Sequence, residues 1–194
     1  MKVQVLSSTY YMFEILSGQF EKADQINPGL MEWIKSDSHY TISTEASRTP
    51  FYCTQLEECP VEELNILFDF ISDNIVSCAN IMAKGTASAY YDSPDWHRNF
   101  SIADYWGMWY NKGSSAIGHN HWPYAISFAY YVNCPEGSSP IIIDGNEIQV
   151  ESGKLILFPG HTVHEVKTCP VDNRFMVAGN IAYLGGLGAG VVQR

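Results

Sequence analysis

The chain is poor in basic residues. Its 194 residues hold 11 Lys plus Arg against 21 Asp plus Glu, a formal net charge of −10. A field of that sign repels phosphate backbones, so nucleic acid is not an expected partner. Charge as a whole is sparse at 16%, while hydrophobic residues reach 46%, which is the balance of a folded chain and not a disordered one. No apolar run is long enough to span a bilayer, so no membrane association is expected. The N-terminal stretch Met1-Lys2-Val3-Gln4-Val5-Leu6-Ser7-Ser8 lacks the continuous apolar segment of a signal peptide. Cysteines are few and odd in number (Cys53, Cys59, Cys78, Cys134 and Cys169), and none forms a C-x-x-C pair. Unpaired thiols in a reduced, cytoplasmic protein are the simplest reading. Internal repeats, low-complexity segments and dividing linkers are also missing. A single domain over 1–194 is expected, long enough for a sizeable core.

The first hundred residues read as a helical lead-in with loops. Asn27-Pro28 predicts a helix start, Asn as the cap and Pro at the first helical position, with the helix running through Leu30, Trp33 and Ile34. Pro60 predicts a second start, with Glu62 and Glu63 in its first turn. Leu64, Leu67, Phe68, Ile71, Ile75, Cys78 and Met82 then recur at helical spacing, up to a stop at Lys84-Gly85. This long, one-sided helix should pack on a sheet.

Beyond residue 101 the texture changes to short strands. They are expected near Tyr105–Tyr110, Ile117–His121, Ala125–Val132, Ser139–Ile143, Glu147–Val150, Lys154–Phe158, Thr162–Thr168 and Arg174–Leu184. Asp144-Gly145-Asn146 is a tight hairpin signal, and Glu151-Ser152-Gly153, Pro159-Gly160 and Pro170-Val171-Asp172-Asn173 mark further turns. The expected fold is mainly β with flanking helices, a double-stranded β-helix or jelly roll of cupin-like form over 101–184. The run Gly185-Gly186-Leu187-Gly188-Ala189-Gly190 lacks the Lys-Ser/Thr and the helix of a phosphate loop, and reads as a flexible tail over 185–194.

His119 and His121 stand at strand spacing, where i and i+2 share a face. Glu165 and Lys167 prefer water, which turns His164 inward with Thr162 and Val166. Three imidazoles could grip one metal ion on one side and leave the other side open for chemistry. A lone histidine is usually structural, and His161 falls on the other parity as a weaker candidate. Neutral imidazoles leave the metal's charge uncompensated, so an anionic ligand is expected. A hairpin about Val171 would set Arg174 roughly opposite Thr168, about 13 Å of strand from His164. Arg174 could then take the far end of a dicarboxylate, or could simply pair with Asp172 at the surface. Spacing alone leaves both open. Tyr105, Trp106, Trp109, Tyr110, Trp122 and Tyr124 fit core as well as they fit a cavity mouth.

The pattern of His119-Asn120-His121-Trp122-Pro123, Phe158-Pro159, His164-Glu165-Val166 and Arg174 to Asn180 resembles the iron(II)- and 2-oxoglutarate-dependent oxygenase superfamily. It is most similar to the small 2OG-Fe(II) oxygenases of bacteria and phages. The likeness extends through Trp109-Tyr110-Asn111, Ser127 to Tyr131, Pro135 to Pro140 and Gly153 to Pro159, and more weakly to Ile26 to Leu30. The resemblance implies Fe(II) on His119, His121 and His164. It implies 2-oxoglutarate as co-substrate with its distal carboxylate on Arg174, and Asn111 as a polar residue near it. The implied activity is a dioxygenase, a hydroxylase of a small molecule or peptide. Two departures stand out. His121 occupies a position that is usually a carboxylate, and Ser127-Phe128 stands where Ser-Gly usually opens the strand.

Two other readings compete. One is a cupin-like three-histidine metalloenzyme that does not use 2-oxoglutarate. The other is a metal-free jelly-roll binding module. The letters of a His-Asn-His nuclease also occur at 119–121, but without a basic face around them.

Overall fold

Short alternating segments between 100 and 184 form eight strands that divide between two sheets. The computed structural model describes residues 2–7, 12–41, 46–54, 56–83 and 99–184. In chain order the elements are β1 (Lys2–Ser7), β2 (Met12–Gln19), α1 (Ala23–Asp37), β3 (Tyr40–Thr41), β4 (Ser47–Arg48), β5 (Tyr52–Cys53), α2 (Glu62–Ala83), β6 (Phe100–Tyr110), β7 (Ala116–His119), β8 (Ile126–Asn133), β9 (Ile141–Ile143), β10 (Asn146–Ile148), β11 (Lys154–Pro159), β12 (His164–Val166) and β13 (Arg174–Tyr183). The larger sheet runs β1-β2-β11-β8-β13-β6-β4-β3, with β5 also paired to β6, and the smaller runs β10-β9-β12-β7. All the pairings are antiparallel. From β6 onward the chain moves back and forth between the sheets, which is the jelly roll that the strand spacing predicts.

The larger sheet is buried on both faces. Tyr105, Phe128, Tyr130, Leu155, Leu157, Phe175 and Val177 face α1 and α2, packing with Leu30, Trp33, Ile34, Leu64, Leu67 and Ile71. Their neighbours Trp106, Met108, Ala129, Tyr131, Ile156, Phe158 and Met176 face the smaller sheet, against Ile141, Ile143, Ile148 and Val166. The alternating parity of one sheet therefore builds two separate cores. The β9–β10 hairpin turns through Asp144 and Gly145 at φ 46° and 80°, as its sequence predicts.

Several expectations change. The first half is not only helix and loop, because β1 and β2 extend the larger sheet beside β11. β2 pairs with residues more than 130 positions away, and no local turn signal announces such a partner. Helix α1 begins at Ala23, a turn ahead of Asn27-Pro28, and holds Pro28 inside it. Ala23 and Ile26 continue the buried stripe backwards, and that burial overrides the cap signal. Asn27 instead accepts a hydrogen bond of 2.7 Å from the Tyr130 hydroxyl. The Val171 turn does not close a hairpin. β12 stays in the smaller sheet while β13 crosses to lie between β6 and β8. Helix α2 matches its predicted span. The Lys84-Gly85 stop and the glycine-rich tail lie outside the described residues. Cys53, Cys59, Cys134 and Cys169 are free thiols. No helix among the described residues is long and apolar enough to cross a membrane.

Gly107 shows how tightly α1 seats. A Cβ there would stand 2.5 Å from Cγ1 of Ile34 and 3.1 Å from Cγ2 of Thr49. Gly107→Ala should destabilise the fold by about 1–3 kcal/mol through overpacking. Urea denaturation followed by circular dichroism measures this, and an unchanged midpoint would show that α1 gives way freely.

Candidate metal centre and cavity

Pairing of β7 with β12 places His119 directly opposite His164. β7 ends at His119, and His121 lies in the following turn, where its N–H donates to the Gly160 carbonyl at 2.7 Å. The three imidazoles still converge. Their ring centroids are 5.1, 4.4 and 4.9 Å apart, and one nitrogen from each lies within 4.8 Å of the others. Nε2 of His121 and Nε2 of His164 are 3.3 Å apart.

Orientation is set from behind. Nδ1 of His119 lies 2.8 Å from the Ile117 carbonyl and Nδ1 of His164 lies 3.2 Å from that of Thr162. A carbonyl only accepts, so each Nδ1 carries the proton and each Nε2 keeps its lone pair. Trp106 stacks on His121 at 5.5 Å, and the edge of Phe158 meets His164 at 4.9 Å. Burial, then the neighbouring His119, lowers His121 to about 4. Burial, then His119 and His121, lowers His164 to about 3. Both rings are therefore neutral ligands at neutral pH. This donor set fits one divalent ion. His161 is exposed and stands outside the cluster.

The cluster lines a cavity of about 520 Å³ with Trp106, Met108, Tyr110, Ala129, Met176, Ala178 and others. Arg174 lies behind Tyr110 and Met176. It is completely buried, its guanidinium carbon 4.8 Å from the Tyr110 ring and 5.3 Å from the Tyr131 ring, with Nη1 3.8 Å from Sδ of Met176. Its Nε and Nη2 make no well-formed hydrogen bond, and the buried Tyr110 and Tyr131 hydroxyls, which burial pushes upward, feel its charge in the opposite direction. Asp172 does not pair with it, and instead accepts from the Lys112 N–H at 2.9 Å. A buried cation with open donors is costly unless an anion meets it. The site therefore fits a carboxylate as well as a metal. Arg174 pairs with Tyr110, four residues along β6 from Trp106, so about 13 Å of strand separates the row beneath His121 from the row of Arg174.

Asn111 does not line the cavity. Its side-chain oxygen accepts from the Asn173 N–H at 3.2 Å and its N–H meets Oγ of Ser114 at 3.1 Å, so it ties the β6–β7 turn to the start of β13. Trp106 and Tyr110 line the cavity, Tyr105 and Trp109 pack under the helices, and Trp122 is 75% exposed. Sequence reading missed Tyr131, Asp104 and Asn180. Only the register of β6, β8 and β13 marks them.

Two outcomes follow from these groups. Arg174→Met should stabilise the metal-free protein by about 1–4 kcal/mol, because it removes an unmet buried cation. Chemical denaturation reads this, and a loss of stability would mean that the guanidinium is satisfied within the fold. The unfolded chain protonates His121 and His164 near 6.5, whereas the native chain does not until about 4 and 3. The unfolded state thus binds more protons below 6.5, and stability should fall as pH drops from 6.5 towards 4. The double variant His121→Gln/His164→Gln should flatten that slope in thermal melts.

No family model matches the chain, and no curated protein matches it. Solved structures do. A prolyl-4-hydroxylase from Pseudomonas putida aligns at a TM-score of 0.60 with 12% identity, over 87% of this chain and 92% of that one. The viral collagen prolyl hydroxylase of Paramecium Bursaria Chlorella virus-1, solved as a 2OG complex, aligns at 0.61 with 11% identity, over 86% and 94%. An oxidoreductase of the 2OG-Fe(II) oxygenase family from Burkholderia pseudomallei aligns at 0.58 with 10% identity, over 88% and 85%. The chain thus carries the jelly-roll fold of the 2OG-Fe(II) oxygenases.

Proposed function

We propose that the protein is an iron(II)- and 2-oxoglutarate-dependent oxygenase that hydroxylates a small molecule or peptide. The observation that carries this reading is Arg174, a fully buried cation whose Nε and Nη2 point at no protein acceptor. Its place behind the cavity-lining Tyr110 and Met176, some four residues of strand from the imidazole cluster, suits the far end of a dicarboxylate that passes between those two side chains. His119, His121 and His164 would hold the iron. Arg174, with the Tyr131 hydroxyl beside it, would hold the distal carboxylate of 2-oxoglutarate.

When bound, iron(II) would supply hydroxylation of a C–H bond by dioxygen, one oxygen atom passing to the substrate and the other to the succinate that 2-oxoglutarate becomes as it loses carbon dioxide. The chain's own residues prepare the site. Ile117 and Thr162 carbonyls fix the proton on Nδ1 of His119 and His164, so Nε2 is available without a proton shift. Trp106 and Phe158 pack against His121 and His164 and keep water from those faces of the rings. The Arg174 fork orients a carboxylate by two donors instead of one.

A three-histidine metalloenzyme that does not use 2-oxoglutarate is favoured by the all-imidazole donor set, but it leaves the buried Arg174 without a use. Calorimetry on the manganese form under anaerobic conditions separates the two. Wild type should bind 2-oxoglutarate. Arg174→Ala should lose roughly 1.5–3 kcal/mol, about one to two decades of affinity, and Arg174→Lys should recover part of this. Each of His119→Ala, His121→Ala and His164→Ala should lower metal content. Equal affinities across the Arg174 series would sink the co-substrate role, and no binding by wild type would favour the other metalloenzyme.

A further inference from the structure

The sheet face beneath the cavity is built in rows across β6, β13, β8 and β11. Tyr110 pairs with Arg174. Met108 pairs with Met176, which pairs with Tyr131. Trp106, Ala178, Ala129 and Ile156 form the next row, and His121 stacks on its Trp106. The proposed co-substrate site uses these three. One row further, on the side away from Arg174, stand Asp104, Asn180, Ser127 and Phe158. All four line the cavity, and Phe158 packs against His164. This row adjoins the imidazole cluster opposite the carboxylate end, and nothing in the proposed chemistry accounts for its polarity.

Its hydrogen bonds all run towards one group. Ser127 Oγ donates to Asn180 Oδ1 at 3.1 Å, and Asn180 Nδ2 donates to Asp104 Oδ1 at 2.7 Å. The Tyr124 hydroxyl donates to Asp104 Oδ2. Neutral donors thus fix the Asp104 carboxylate in place, and no cation among the described residues pairs with it. Each carboxylate oxygen can accept a second bond. Strands could be tied together as well by a neutral amide, without the cost of partly desolvating a charge. The other charged side chains on the cavity are elsewhere. Arg48 lies 4.0 Å over the Phe51 ring beside Met108, and Glu165 follows His164 on β12.

We propose that Asp104 anchors the primary substrate, and that this substrate carries a cationic nitrogen, an ammonium or guanidinium, close to the carbon that reacts. This rests on the oxygenase reading of the same cavity. Asn180 and Ser127 act as positioning residues that hold the carboxylate square to the cavity. Tyr124 couples it to the turn that carries His121, whose carbonyl accepts from the Tyr124 N–H at 2.9 Å.

The test uses zinc-loaded protein with saturating 2-oxoglutarate and saturation-transfer NMR. Free L-lysine, L-arginine and n-butylamine are compared with Nε-acetyl-L-lysine, L-citrulline and n-butanol. Cationic members should bind at least about tenfold more tightly than their neutral partners, the worth of one charge-assisted hydrogen bond. Asp104→Asn should abolish that preference with metal content unchanged, whereas Glu165→Gln should keep it. No preference in wild type, no binding by any cationic member, a preference that survives in Asp104→Asn, or loss only in Glu165→Gln overturns the proposal. Signals of 2-oxoglutarate in the same samples report separately on the oxygenase reading.

Discussion

The register of β13 between β6 and β8 is the constraint on which the site depends. Because Arg174 stands opposite Tyr110 and Asn180 opposite Asp104, one sheet face carries a cation at one end and a carboxylate at the other, with Trp106 and Ala178 between. A slip of one residue would turn every one of these side chains into the helix-packed core. The hydrophobic alternation that separates the two cores therefore also fixes the chemistry of the cavity. Helices α1 and α2 seal the opposite face and make that slip expensive.

The second constraint is electrostatic. The cavity brings together three imidazoles and a fixed carboxylate, with a buried guanidinium behind its Tyr110 and Met176 wall. Left alone, the guanidinium opposes folding, and the two buried imidazoles do so in acid. Burial holds His121 and His164 neutral, and Arg174 lies among the Tyr110 and Tyr131 rings and the Met176 thioether with no carboxylate paired to it. Charged ligands that satisfy these groups would stabilise the native state by mass action. Arg174 in particular is hard to explain as a packing residue. A Met of similar length would fill the space without the desolvation cost.

The glycines near the site mark where strands and turns approach closely. A Cβ at Gly160 would stand 2.2 Å from the Tyr124 carbonyl oxygen. That contact lets the turn after Pro159 lie against the turn after His121, whose N–H it receives. The positions of His121, Tyr124 and the Asp104 carboxylate are thus joined through backbone contacts, while His119 and His164 are joined through the β7–β12 ladder.

Local sequence determined a good deal. The eight strands beyond residue 100, the Asp144-Gly145 turn, the span of α2 and the inward parity of His164 all arise from periodicity and turn chemistry within a few residues, so they are legible without tertiary knowledge, whereas His121 reaches the cluster from beyond the end of β7 through its bond to Gly160. The start of α1 was not, because Ala23 and Ile26 gain more from burial than Asn27 gains from capping. β2 was hidden because it joins the larger sheet through β11, more than 130 residues away, and β1 follows it as the edge strand. Asn111 and Arg174 show the same limit. Both precede or follow turns and carry strong polar groups, yet one ends as a clip between turns and the other as a buried cation behind the cavity wall. Only the crossing of β13 into the larger sheet decided between those fates. Strand pairing across long separations depends on the packing of whole faces, and no local window of the sequence contains that information.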